Sequence, residues 1–100
     1  QTFMEDYPYE PDCLYIMDKA YMKTKGLRTI KEKNAYFIVP IKNNVKYVVS
    51  KDETHRSNSA CVYADQLIKF TSRWAKTNYP YELRLVAYYL ENKNDTLILT

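Results

Sequence analysis

Asp18 is the residue of this 100-residue chain whose type and position point most directly to chemistry. It follows Leu14-Tyr15-Ile16-Met17, an apolar run of strand length, and precedes Lys19-Ala20-Tyr21. In open α/β sheets, ligands and chemistry collect at the carboxyl ends of strands, because backbone and side chains diverge there into a crevice. An acidic residue after a strand is also a common turn residue. Spacing alone leaves both interpretations open: Asp18 either serves a site or caps the next turn.

The other residue types that commonly carry chemistry are few. Cys13 and Cys61 have no second sulfur or histidine at metal-ligand spacing, and we expect both to be buried, reduced thiols without a disulfide. His55 is the only histidine and stands in a polar stretch, so we expect it to be solvated. The single glycine, Gly26, excludes the glycine-rich loops that cradle phosphate in P-loop and dinucleotide-binding proteins.

Length, charge and hydropathy set broad limits. One hundred residues suffice for one domain. The net charge of +3 and the pI near 8.8 are compatible with a nucleic-acid partner but do not require one. No apolar run approaches the ~20 residues of a membrane span, and no signal-peptide pattern is present. We therefore expect a soluble intracellular protein that does not engage a membrane.

The elements around Asp18 form a predicted βαβ unit. Residues 13–17 and 35–40 are continuous apolar runs, typical of strands buried on both faces. Between them, residues 25–33 place apolar side chains three positions apart, which indicates a short helix. Thr24 is the predicted N-cap and Asn34 the predicted stop. A strand, a helix and a strand joined in this way should give a parallel, right-handed pair.

The remainder of the chain predicts an antiparallel β meander. Pro40 cannot donate to a ladder, so the second strand should lie at an edge or lose pairing near residue 40. The predicted strands of the second half are residues 45–50, 61–71, 82–90 and 96–99, with a turn at 91–95, a polar loop at 51–59 and another loop at 72–80. The predicted fold class is α/β: a connecting arm at 1–12, the βαβ part at 13–42 and a β-rich part at 43–100. We also expect both chain ends to be internal to a longer protein.

Five segments in this order resemble a known family: residues 15–21 around Asp18, 35–39, 42–44, Tyr79-Pro80 followed by 83–86, and the terminal 97–100. The chain is similar, from about residue 13 to its end, to the middle of a bacterial insertion-sequence transposase of the DDE class, of the IS-four type. An arginine is common in that family where Pro40 stands here. Any contact made through that arginine is absent from this chain.

The resemblance implies a ribonuclease H-like catalytic domain in which three carboxylates hold two Mg²⁺ ions for attack on a phosphodiester. Asp18 would be the second of those carboxylates and thus a catalytic, metal-holding residue. The β-rich part at 43–100 would be the insertion that precedes the helix carrying the third carboxylate. With one ligand of three, the chain would be an internal fragment that is inactive by itself.

The resemblance also implies DNA, at insertion-element ends, as the partner, a bacterial cytoplasmic location, and room for self-association. The residues predicted to contact nucleic acid are Lys42, Lys46, Arg73, Lys76 and Arg84. A different interpretation is a stand-alone nucleic-acid-binding or protein-interaction module without catalysis. In that module Lys51 and Arg56 would join the basic set, and Trp74 and Tyr79 would stack on bases. The same charges could equally form a solvated rim.

Overall fold

The computed structural model describes residues 7–18, 23–41, 45–56 and 60–100. These residues form one six-stranded sheet with two helices, in the strand order β1-β2-β6-β5-β4-β3. The elements are β1 (Leu14–Ile16), α1 (Thr24–Glu32), β2 (Tyr36–Pro40), β3 (Tyr47–Asp52), a 3₁₀ turn (Thr54–Arg56), β4 (Val62–Phe70), α2 (Arg73–Asn78), β5 (Leu83–Leu90) and β6 (Lys93–Leu99). The strands β1 and β2 are parallel, and all other neighbours are antiparallel.

The predicted βαβ unit is confirmed. β1 and β2 pair in parallel, with Ile16 opposite Ile38, and α1 connects them. The helix packs on the sheet because Leu27 and Ile30, three residues apart, are both fully buried. Asn34 ends the helix in the left-handed region at φ 60°, as predicted. The predicted cap is wrong by one residue: Lys23 takes the N-cap position, and no side chain caps the helix.

Pro40 ends the ladder between β1 and β2. The Met17 N–H donates to the Ile38 carbonyl at 3.0 Å, so Ile38 turns its backbone groups toward β1. In a strand, the backbone N–H and carbonyl groups of every second residue point toward the same neighbouring strand. After Ile38, the next residue of β2 whose backbone points toward β1 is Pro40, and proline has no N–H to donate. The predicted loss of pairing near residue 40 is confirmed on this side. β2 is not an edge strand, because the Ile41 N–H continues the ladder to β6.

The predicted antiparallel second half is also confirmed, and it belongs to the same sheet as the βαβ unit. β6 lies between β2 and β5, with Ile98 opposite both Val39 and Leu85. The predicted boundary between residues 42 and 43 falls outside the described residues. The sheet edges within the described part of the chain are therefore β1 and β3.

Three local predictions in the second half are wrong. The segment predicted as a loop, residues 72–80, contains the helix α2. Ser72 precedes this helix in an extended conformation, and Pro80 follows it. The turn predicted at 91–95 is only two residues long, Glu91 and Asn92, both with positive φ; β6 begins directly after it. β3 extends two residues further than predicted, to Asp52, around a bulge.

The two cysteines also differ from expectation. No disulfide joins Cys13 and Cys61, but Cys61 is exposed and Cys13 is only half-buried. Cys61 lies in the turn just before β4 and not within the strand, so its side chain is not covered by the sheet.

One face of the sheet carries the core and α1. The buried apolar residues are Tyr9, Leu27, Ile30, Ala35, Phe37, Val39, Ile68, Phe70, Tyr79, Leu83, Leu85, Ala87 and Ile98. The side chains of directly paired residues lie on the same face of a sheet. Phe37 on β2 points into the core, so its neighbours Tyr36 and Ile38 lie on the opposite face, together with their partners Leu14 and Ile16. There Leu14, Ile16 and Tyr36 are exposed, and no described helix covers them.

Candidate functional site

Asp18 lies two residues beyond the carboxyl end of β1, near the position where the sequence predicts a ligand. Its side chain is exposed, and within the described residues it takes part in no hydrogen bond or ion pair. The backbone there is released from the sheet because the β1–β2 ladder stops at Pro40. The carboxylate is thus held next to a rigid strand end with its oxygens open to solvent.

The donor chemistry of Asp18 suits a hard divalent cation such as Mg²⁺, which prefers oxygen ligands and retains several waters. The described residues contain no group of three or more histidine, cysteine, aspartate or glutamate side chains close enough to hold a metal ion. Asp18 could therefore supply one carboxylate ligand, and the described residues around it do not complete a coordination shell.

Three of the five residues predicted to contact nucleic acid lie near one corner of the sheet. Lys76 is exposed in the last turn of α2, and Arg73 is exposed at the start of the same helix. Lys46 reaches this corner because its carbonyl accepts the Thr71 N–H at 3.1 Å. Lys42 lies outside the described residues. The folding of the chain therefore gathers these charges at the ends of β3 and β4.

Arg84 is placed differently, on β5 in the middle of the sheet. Its Nε and Nη2 donate to the two carboxylate oxygens of Asp65 at 2.9 and 2.7 Å, a bidentate pair. The Asp65 side chain is 12% exposed, whereas the Arg84 side chain remains 52% exposed. Hydrogen bonding to Arg84 holds the pKa of Asp65 below its ordinary value and raises the pKa of Arg84. Much of the charge of Arg84 is thus already balanced inside the chain.

This pair could not be predicted from local sequence patterns, because it depends on strand register. Leu67 on β4 lies opposite Arg84 on β5, which makes Asp65 the diagonal neighbour of Arg84 on the same face. Thr54 joins the same region, since its hydroxyl accepts the Asp65 N–H at 3.0 Å. The Thr54 N–H in turn donates to Asp52, and hydrogen bonds from Thr54 lower the pKa of Asp52.

The two aromatic residues considered for base stacking have opposite environments. Trp74 is 67% exposed, and the Lys25 ammonium lies 5.3 Å from its ring centroid. Tyr79 is 1% exposed and packs edge-on against Phe37 and Phe70 at 6.1 Å. The stacking role considered for Tyr79 is wrong because its ring belongs to the core, whereas Trp74 offers an open ring.

A family model described as the transposase DDE domain matches residues 2–94 of the chain. The chain belongs to this family. The family predicted from the sequence is thereby confirmed, and membership indicates a function in transposition. No curated protein and no solved structure matches the chain.

DDE transposase domains generally use a divalent metal and act on DNA. In this DDE domain the described residues offer Asp18 as an open carboxylate and a basic corner around Thr71. The two features lie toward opposite edges of the sheet, since Asp18 follows β1 and the corner adjoins β3. Among the described residues, no helix is both long and apolar enough to cross a membrane.

Proposed function

We propose that this chain is part of the ribonuclease H-like catalytic domain of a bacterial insertion-sequence transposase of the IS-four type. The parent protein would act in the cytoplasm, cutting and joining DNA at the ends of the insertion element by Mg²⁺-dependent phosphoryl transfer. Asp18 is the metal-holding carboxylate that this chain contributes. Residues 43–100 are the β-rich insertion, and the isolated chain does not cleave DNA.

The position of Asp18 carries this proposal. A carboxylate that closely follows a parallel strand is held by the sheet yet points into the region where strand ends diverge. Pro40 supports this position for Asp18 because it ends the hydrogen-bond ladder between β1 and β2, so the backbone after Met17 makes no further pairing with β2. The exposure of the Asp18 side chain supports a ligand role, because it leaves the carboxylate accessible to an ion or substrate.

In the intact protein, bound Mg²⁺ would polarise the phosphodiester and activate the attacking oxygen. The contribution of Asp18 is to offer carboxylate oxygens at a fixed strand end. The basic residues Lys42, Lys46, Arg73, Lys76 and Arg84 are proposed to contact DNA, and the bidentate bond of Arg84 to Asp65 reduces the charge that it can offer. Phosphate contacts of this kind set the position of DNA without reading its sequence.

The test uses the intact parent protein with Asp18→Ala and Asp18→Asn. Both variants are expected to lose strand cleavage while retaining affinity for element ends, because affinity comes mainly from lysine and arginine at phosphates. The measurements are a nicking assay and a gel shift at the same salt concentration. Asp18→Asn keeps the shape of the side chain, so its loss of cleavage cannot be attributed to packing.

Glu82→Gln is the matched control, because Glu82 is also exposed and lies before β5, away from Asp18. It is expected to cleave normally. Full cleavage by either Asp18 variant would remove Asp18 from the catalytic set. Loss of DNA binding with a normal fold would assign Asp18 to recognition.

A second candidate function, a nucleic-acid-binding module without catalysis, is favoured by the basic corner and by the exposed ring of Trp74. Base stacking on an open aromatic ring is worth about 1–3 kcal/mol per base. The two functions are separated by the parent protein's nicking activity, which only the transposase requires.

A further inference from the structure

A groove lies where the end of β4 meets α2 and the chain that follows α2. It has a volume of about 250 Å³, below the roughly 300–1,000 Å³ of most small-molecule sites. Its lining consists of Val48, Lys69, Phe70, Lys76, Tyr79 and Pro80, together with Thr71. The floor is thus apolar and aromatic, and the polar contribution comes from two lysines and a threonine.

The two lysines give the groove an uncompensated positive charge. Lys69 on β4 and Lys76 on α2 are both exposed. The ion pairs seen among the described residues engage Arg28, Lys51 and Arg84, and none engages either groove lysine. None of the described residues that line the groove is acidic. An occupant that carries negative charge would therefore complement it.

The walls of the groove are held in place by the fold. Lys69 projects from a strand that is paired on both sides, with Val48 opposite it on β3. The last turn of α2 is closed by the Tyr79 N–H, which donates to the Ala75 carbonyl at 2.8 Å. The buried Tyr79 ring then fixes the start of the segment after the helix. A preformed groove of this kind loses little conformational entropy on binding.

We propose that this groove binds the sugar-phosphate backbone of a DNA strand, with Lys69 and Lys76 at the phosphates and the exposed side chains of Val48 and Pro80 against deoxyribose. The proposal rests on the function proposed above, because that function identifies DNA as the negatively charged occupant of the groove. It adds Lys69 to the residues that contact DNA and gives Lys76 a specific surface. Lys46 stands at the same rim, because its carbonyl holds the Thr71 N–H.

The groove is separate from Asp18. β1 and β3 are the opposite edges of the six-stranded sheet, five strand spacings apart, and neighbouring strands lie about 4.8 Å from each other. That gives roughly 24 Å between the edges, and the strand register adds a further separation along the strands. The groove would therefore contact DNA at a second place, away from the reacting phosphate near Asp18.

The test measures the salt dependence of DNA binding by the intact parent protein, using fluorescence anisotropy with a duplex that contains the element end. Lys69→Gln/Lys76→Gln removes two phosphate contacts, so the slope of log K against log salt should shrink by about 1.8. That change corresponds to about 60-fold weaker binding at 0.1 M salt. The control is Lys23→Gln/Lys33→Gln, which removes the same charge from exposed lysines flanking α1. It should change the slope by less than half as much.

Equal slope changes in the two double variants would overturn the groove proposal, as would an absence of DNA binding by the unmodified protein at 50 mM salt. If polyglutamate bound the unmodified protein more tightly than the groove variant while DNA bound both equally, the occupant would be an acidic peptide and the DNA proposal would be overturned. Circular dichroism checks that both variants fold. The outcome is independent of the nicking assay: normal cleavage by Asp18→Ala would refute the catalytic proposal and leave the groove result standing.

Discussion

Replacing Arg84 by glutamine is expected to lower the free energy of unfolding by about 2 kcal/mol at pH 7. The change removes two short charged hydrogen bonds from Asp65, whose side chain is 12% exposed. Hydrogen bonds to charged groups contribute about 1.5–3 kcal/mol. Breaking a fully buried pair costs about 3–5 kcal/mol, and the half-exposed Arg84 side chain places this pair below that range.

The assay is urea unfolding followed by circular dichroism. With a slope of about 1.5 kcal/mol per molar urea for a small domain, a loss of about 2 kcal/mol lowers the midpoint by about 1.3 M. Arg28→Gln is the matched control, because Arg28 makes an exposed pair with Glu32 on α1 at 3.1 Å. Exposed i,i+4 pairs contribute only about 0.3–0.5 kcal/mol, so its midpoint should move by about 0.3 M or less.

The pH dependence of the same comparison tests the cause. Arg84 holds the pKa of Asp65 below its ordinary value in the folded protein. A group with a lowered folded pKa stabilises the fold fully above its unfolded pKa of about 3.9, and the contribution is lost as the pH falls toward the folded pKa. The difference between unmodified protein and Arg84→Gln should therefore be largest at neutral pH and shrink below about pH 4. Equal effects of the Arg84 and Arg28 substitutions, or a difference that persists unchanged at pH 3, would refute this reasoning.

Other substitutions test separate parts of the structure. Tyr79→Phe should leave stability unchanged or raise it by up to about 1 kcal/mol in urea unfolding, because the Tyr79 hydroxyl is buried without a partner among the described residues; a loss above 1 kcal/mol would reveal a missed bond. Glu91→Asn should raise the melting temperature, since residue 91 has φ 52° in a two-residue hairpin turn and asparagine tolerates that region better. Asn34→Ala should cost about 1 kcal/mol by the same backbone argument at φ 60°, and an unchanged melting temperature would contradict it. Calorimetric titration of the isolated chain with Mg²⁺ should show only weak binding, because the described residues give Asp18 no second carboxylate with which to hold the ion; micromolar affinity at a site containing Asp18 would mean that further ligands are present.

The parts of the fold that were predictable are those encoded in continuous local patterns. Residues 13–17 and 35–40 are apolar at nearly every position, so the parallel pair and the helix between them followed from the sequence. α2 was missed because six residues give too little periodicity to distinguish a helix from a polar loop. The placement of β6 beside β2 could not be predicted, because strand order depends on contacts between distant segments.

The same distinction applies to the candidate functional residues. The position of Asp18 followed from a local signal, a carboxylate that ends an apolar strand. The pairing of Arg84 with Asp65 requires the register of β4 against β5. The placement of Lys69 and Lys76 along one groove requires the turn from β4 into α2. Charge alone gave no reason to separate Arg84 from the other basic residues.

The position of β6 has a consequence for how the chain folds. β4, β5 and β6 follow one another along the chain, and β5 and β6 are joined by a two-residue turn, so this hairpin can form on a timescale of microseconds. Pairing Val39 with Ile98 instead closes a loop of about 60 residues, at an entropic cost of roughly 3.6 kcal/mol. We expect the strand pair that bears Asp18 to dock late, onto a hairpin that has already formed. A ribosome would therefore have to release β6 before the segment carrying Asp18, made some 80 residues earlier, could find its place in the sheet.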